Sequence, residues 1–190
     1  MNDFLVKPYK YIFLLSTILF SSSSLARFMV EPSVLYTSGR FSGDNELGSF
    51  SAKGYGVSLG YAGKYFLMGL TGEKLDYSFE DHFTTHGHTK YSGGGIGTFI
   101  GLHLFDRFKI LTSYLNSTLE PTSNTSTRYF GQYYSVGLGI RILGGIMLNA
   151  QSFTNQYTQI EDDTTGKTSG LDKKLTTFGQ TYSISYIFLL

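Results

Sequence analysis

Large apolar residues alternate with tiny or polar ones through much of this 190-residue chain, and that dyad limits the folds open to it. Tyr55, Val57, Leu59 and Tyr61 alternate with Gly54, Gly56, Ser58 and Gly60. Tyr134, Val136, Leu138, Ile140 and Ile142 alternate with Ser135, Gly137, Gly139 and Arg141. Tyr182, Ile184, Tyr186 and Phe188 do so with Ser183, Ser185 and Ile187. Successive side chains on a strand point to opposite faces, so each segment has one apolar face and one small or polar face. A soluble sandwich would turn its apolar faces inward and put Lys, Glu and Thr outside. A second face of Gly and Ser suits a closed barrel whose apolar face meets lipid around a narrow polar interior.

The N-terminus agrees with export. Lys7 and Lys10 precede the apolar run Tyr11–Phe20, followed by Ser21–Ser24 and then Leu25-Ala26. Small residues at Ser24 and Ala26 suit a cut after Ala26, so residues 1–26 read as a cleaved signal peptide and 27–190 as one barrel domain. The apolar run is too short for a spanning helix, which needs about 20 residues. With no cysteine, the chain has neither disulfide framework nor thiol nucleophile. Residues 27–190 carry 13 basic and 13 acidic side chains, so no global field points to nucleic acid. Tyr (15) and Phe (16) are abundant, as interfacial girdles of membrane barrels require.

Eight segments read as strands, at about 28–37, 50–61, 65–77, 91–104, 108–117, 129–143, 146–157 and 175–188. Three connections are tight: Ala62-Gly63-Lys64, Phe105-Asp106-Arg107 and Leu143-Gly144-Gly145. Four are long and polar, at 38–49, 78–90, 118–128 and 158–174. Short turns face the periplasm in outer-membrane barrels and long loops face outward, which puts both termini on the periplasmic side. Pro32 removes a ladder donor from the first strand and hints at a bulge or weak pairing.

On the inward faces, glycines such as Gly54, Gly56, Gly95, Gly97, Gly137 and Gly139 read as packing devices for an interior only just wide enough for side chains. Glu31, Glu73, Arg141 and His103 also fall inward. Buried charges need partners, and Glu31 and Arg141 lie near the same end, so a pair between them would cross the lumen. Such pairs plug a barrel; a gated ion or proton path is the alternative use, and eight strands leave no porin channel. The second long loop holds His82, His86 and His88 beside Glu80 and Asp81, types that could bind zinc or copper, although the spacing matches no structural zinc site. Asp162 and Asp163 lack the fuller pattern of a calcium loop.

The whole of 27–190 resembles the small eight-stranded outer-membrane barrels of Gram-negative bacteria: the OmpX, Ail and opacity-protein group and the OmpA transmembrane domain. The resemblance implies an all-β, eight-stranded antiparallel up-and-down transmembrane barrel in the outer membrane, without cofactor. It implies contact with outer-membrane lipid and lipopolysaccharide, and a monomer with a structural or surface-interaction, adhesin-like role through four loops. Tyr182, Ile184, Tyr186 and Phe188 look like the last-strand signal read by the barrel-assembly machinery; Leu189 and Leu190 follow it here. A host or other cell-surface ligand is the implied partner. Some barrels of this membrane are lipid A deacylases, but their His-x-Ser-Asn pattern is absent and His103-Leu104-Phe105 does not match it, so no enzyme is expected. The remaining alternative is binding or lateral passage of a small hydrophobic molecule, through an opening near Pro32 or Gly93-Gly94-Gly95.

Overall fold

The computed structural model describes residues 27–43, 46–79, 90–105, 107–122, 127–162 and 166–190. Strands β1 (Arg27–Gly43), β2 (Glu46–Ala62), β3 (Phe66–Phe79), β4 (Lys90–Leu104), β5 (Phe108–Pro121), β6 (Thr127–Leu143), β7 (Ile146–Asp162) and β8 (Lys167–Tyr186) each pair antiparallel with the next. β8 returns to β1, and a short continuation, β9 (Phe188–Leu189), extends that closing ladder at Val30 and Met29. Closure pairs every strand on both sides, the condition for crossing lipid, where an open edge would leave backbone groups unsatisfied.

Pro32 marks a break in the closing ladder. The β1–β2 ladder runs unbroken from Arg27↔Ala62 to Gly43↔Glu46 and includes Pro32↔Val57, so there is no bulge on that side. On the other side the β1–β8 pairing starts at Ser33↔Ser185 and resumes as β1–β9 at Val30↔Phe188. Proline has no N–H to give. Ile187, between β8 and β9, donates its amide to the Gly145 carbonyl at 2.8 Å instead. The weak pairing expected at Pro32 is confined to the closing seam.

The strands are longer than the dyad suggested, at 14–20 residues for β1–β8. About 9–11 tilted residues suffice to cross a bilayer, so the excess stands above it. The first and fourth connections, expected as loops over 38–49 and 158–174, are largely paired strand: β1 reaches Gly43, β7 reaches Asp162 and β8 begins at Lys167. Their polar outward residues hide the alternation, while apolar positions such as Phe41 and Leu171 pack into the core.

Two faces follow from this parity. Outward, a belt of exposed apolar residues runs round the barrel, including Val34, Val57, Leu70, Ile96, Leu138 and Ile184. Tyr36, Tyr55, Tyr114, Tyr134 and Tyr182 end it on the long-hairpin side, and Phe28, Tyr61, Phe108 and Tyr186 on the short-turn side. Above the upper ring the outward positions turn polar (Lys53, Lys74, Gln132, Gln180), and the Tyr134 and Tyr182 hydroxyls donate to Gln132 and Gln180. An apolar band between aromatic girdles is what a bilayer selects.

Inward, the fill is layered. Met29, Ala62, Leu67, Phe99, Met147 and Ile187 pack at the short-turn end. A second cluster with Phe41, Phe50, Tyr77, Phe79, Tyr91 and Phe153 fills the upper half; the Phe41–Phe79 and Phe79–Tyr91 rings meet edge-on at 5.2 and 5.1 Å. Polar side chains lie between the two. Phe41, Tyr77, Phe79, Tyr91 and Tyr157 thus form an aromatic plug in the upper barrel. Above the membrane, burial pushes the Tyr91 and Tyr129 phenols up from their ordinary range, which keeps them protonated.

Candidate functional site

The polar layer is held by one long-range ion pair. Lys109 Nζ lies 2.5 Å from Glu31 Oε1, and both side chains are buried. β1 and β5 are four strands apart in a closed ring of eight, so the pair spans the lumen between opposite walls. Ser185 donates its hydroxyl to the same carboxylate oxygen at 2.5 Å. Asn149 Nδ2 donates to Ser183 and Ser185, both at 3.0 Å, linking the pair to β7 and β8.

The partner of Glu31 is therefore Lys109 and not Arg141, as the strand ends had suggested. Arg141 stands lower, on β6, and its buried Nε has no hydrogen-bond partner among the described residues. Glu73 faces inward as expected and, with Glu31 and Lys109, borders a cavity of about 50 Å³, room for a few waters. His103 points inward near the short turns, and its amide donates to the Tyr65 carbonyl at 2.9 Å. His82, His86, His88 and Asp163 lie outside the described residues. Lys109 was missed, although its place between outward Phe108 and Ile110 marks it as inward.

Glycines make the room for this network. A Cβ on Gly139 would stand 2.4 Å from Asn149 Oδ1 and 2.7 Å from Lys109 Cε. A Cβ on Gly137 would stand 2.4 Å from Gln151 Cγ. The small face of the β6 dyad thus accommodates long polar side chains arriving from β5 and β7.

The two proposed lateral openings differ. Across Gly93, Gly94 and Gly95 the β3–β4 pairing continues through Leu75, Lys74 and Glu73 without a register shift. Outside that run lies a groove of about 510 Å³ bordered by Lys74, Ser92, Asn116, Thr118 and Glu120. The seam at Pro32 lacks paired residues, but Ile187 is buried behind it.

The last-strand residues Tyr182, Ile184, Tyr186 and Phe188 all face outward into the belt. At the opposite end, β6, β7 and β8 rise above the barrel as a three-stranded sheet, with Thr127↔Asp162 and Asp162↔Lys167 as its top pairs. The β1–β8 ladder stops at Ser42↔Thr176, so Lys167–Gly170 is paired with β7 alone among the described residues. The side chains of that stretch are exposed.

No family model and no curated protein matches the sequence. Solved structures do match the fold. Ail, the attachment invasion locus protein of Yersinia pestis, in complex with the heparin analogue sucrose octasulfate, is 10% identical with a TM-score of 0.54, covering 85% of this chain and 99% of that one. Neisserial surface protein A is 9% identical with a TM-score of 0.52, covering 85% and 97%. Closed ring, lipid belt, girdles and these likenesses together define a small eight-stranded outer-membrane β-barrel protein.

Proposed function

We propose that the protein is a non-catalytic surface-interaction barrel, anchored by its belt and presenting the β6–β8 sheet to a partner outside the cell. One observation carries this reading: the exposed edge at Lys167–Gly170, a row of backbone donors and acceptors that an extended segment of another protein can pair with. The layered interior favours anchoring over transport, because apolar plugs lie on both sides of the polar layer. Ail, a barrel of the same fold, is described as an attachment protein and holds a sulfated sugar analogue, which agrees with an adhesin-like role here. In this reading the chain is a monomer whose last strand is read by the barrel-assembly machinery and whose outer rim meets lipopolysaccharide.

Thr168→Pro and Ser169→Pro, made separately, test it: amide donors alternate along a strand, so one of the two removes a donor from the free edge. Cells expressing either variant should keep a heat-modifiable outer-membrane band, and one of the two should lose adherence to host cells or matrix proteins. Undiminished adherence in both would sink the edge-strand reading.

A further inference from the structure

We propose that Arg107 and Arg141 form a phosphate-binding site at the periplasmic mouth of the barrel. The β5–β6 register that sets Phe108 opposite Ile140 continues one step to set Arg107 against Arg141, whose amide donates to the Arg107 carbonyl at 2.7 Å. The Arg107 amide turns to the Leu104 carbonyl at 3.3 Å, so the two residues share one backbone bond at the end of the ladder, and like charges on neighbouring strands repel each other. Arg107 is exposed on its turn, whereas Arg141 is half-buried and its Nε lacks an acceptor among the described residues. A buried guanidinium N–H without an acceptor is costly, and an oxyanion held between the two forks would answer both problems.

The surrounding charges leave this role open. Lys109, two residues further along β5, is committed to Glu31, whose carboxylate is in turn engaged by Lys109 and Ser185. Arg27 and Lys64 add exposed positive charge at the same end. The one further acid that the sequence places there is Asp106. Planar guanidinium forks match phosphate in a bidentate manner that ammonium groups do not.

The source of the phosphate is indicated by two neighbours. Phe105 is 89% exposed and Leu143 is 74% exposed, each two residues along the chain from one of the arginines, at the lower margin of the lipid belt. Phe105 is held at φ 53°, a conformation a bulky residue rarely adopts. Apolar anchors flanking a basic pair fit a phospholipid headgroup of the periplasmic leaflet better than free phosphate.

The test starts with the barrel in zwitterionic micelles, its arginines labelled for NMR, titrated with inorganic phosphate. The Arg141 Nε–H signal should shift saturably. Arg107→Gln and Arg141→Gln should each weaken binding about tenfold or more, while Lys64→Gln should not. Should Arg141→Gln fail to fold, Arg107→Gln, on the exposed turn, carries the comparison. Asp106→Asn should tighten binding; binding seen only in Asp106→Asn and not in the wild type would show that the arginines are held in a protein ion pair, and the proposal fails.

A second arm uses native mass spectrometry of the barrel released from nanodiscs. Retention of one phosphatidylglycerol by the wild type, absent in Arg107→Gln, assigns the lipid headgroup. Saturable phosphate binding without retained lipid keeps the site and assigns free phosphate. No saturable shift and no retained lipid, or an equal loss in Lys64→Gln, overturns it.

Discussion

Lys109 reaches across the lumen from β5 to meet Glu31 on β1 at 2.5 Å, tying opposite walls of the barrel together in a layer closed above and below by apolar side chains. Neither charge has an alternative partner of opposite sign at that distance among the described residues. A buried pair contributes little net stability, since desolvation offsets much of its attraction, yet removing one partner strands the other. Lys109→Met should therefore cost about 3–5 kcal/mol, read as a lower urea midpoint for loss of the heat-modifiable form. The double variant Glu31→Leu with Lys109→Met should recover most of that loss. Equal destabilisation by the single and the double variant would show that the pair does not act as a unit.

The small face of β6 supplies a sharper steric prediction. Gly139→Ala would place a Cβ within 2.7 Å of Lys109 Cε and closer still to Asn149 Oδ1, forcing the lysine stem away from Glu31. A cost of about 1–3 kcal/mol is expected from overpacking, plus part of the ion-pair loss. Gly72 faces outward, and a Cβ there meets its nearest atoms at 3.7 Å, so Gly72→Ala should change stability by no more than about 0.5 kcal/mol. Parallel urea titrations of the two variants decide it. Equal effects would mean that the inward glycines are not making room for anything.

Which residues face inward was legible from the dyad; which of them meet was not. Alternation gives a face at every position, and Glu31, Glu73, Arg141 and His103 all stand on the face read for them. The level at which two inward residues meet depends on how strands tilt and stagger, a property of the closed barrel rather than of any one segment. Hence Glu31 pairs with Lys109 rather than with Arg141. Lys109 itself sits second in β5, beside a turn, where a base reads as a rim charge. The hairpins above the membrane escaped for another reason: their outward Ser, Thr and Gln resemble loop composition, and only sparse apolar residues such as Phe41 and Leu171 reach the core.

Depth along the wall is tested by charge. Leu138 lies mid-belt on β6 at 64% exposure, and Gln132 lies six residues up the same strand, beyond the girdle tyrosine Tyr134. Leu138→Arg should cost about 2–4 kcal/mol in lipid vesicles, and Gln132→Arg about 0–1 kcal/mol. In detergent the difference should shrink, since micelles adapt to a charge more readily than a bilayer. Matching costs at both positions would contradict the placement of the bilayer between the tyrosine and lower aromatic rings.

The layered interior also governs conductance. The cavity beside Glu31, Glu73 and Lys109 holds only about 50 Å³, and it lies between the lower Met29–Phe99 cluster and the upper aromatic cluster. Planar-bilayer recordings of the wild type should accordingly show no stable open level. Phe50→Ala with Phe153→Ala removes two rings of the upper plug, whose centroids lie 6.3 Å apart, yet leaves the lower cluster in place. That double variant should unfold more easily, by about 3–5 kcal/mol per ring lost, and still conduct no steady current. Steady conductance in the double variant would show that the upper plug alone seals the lumen. Steady conductance in the wild type would remove the case for an anchor and make the polar layer the wall of a pathway.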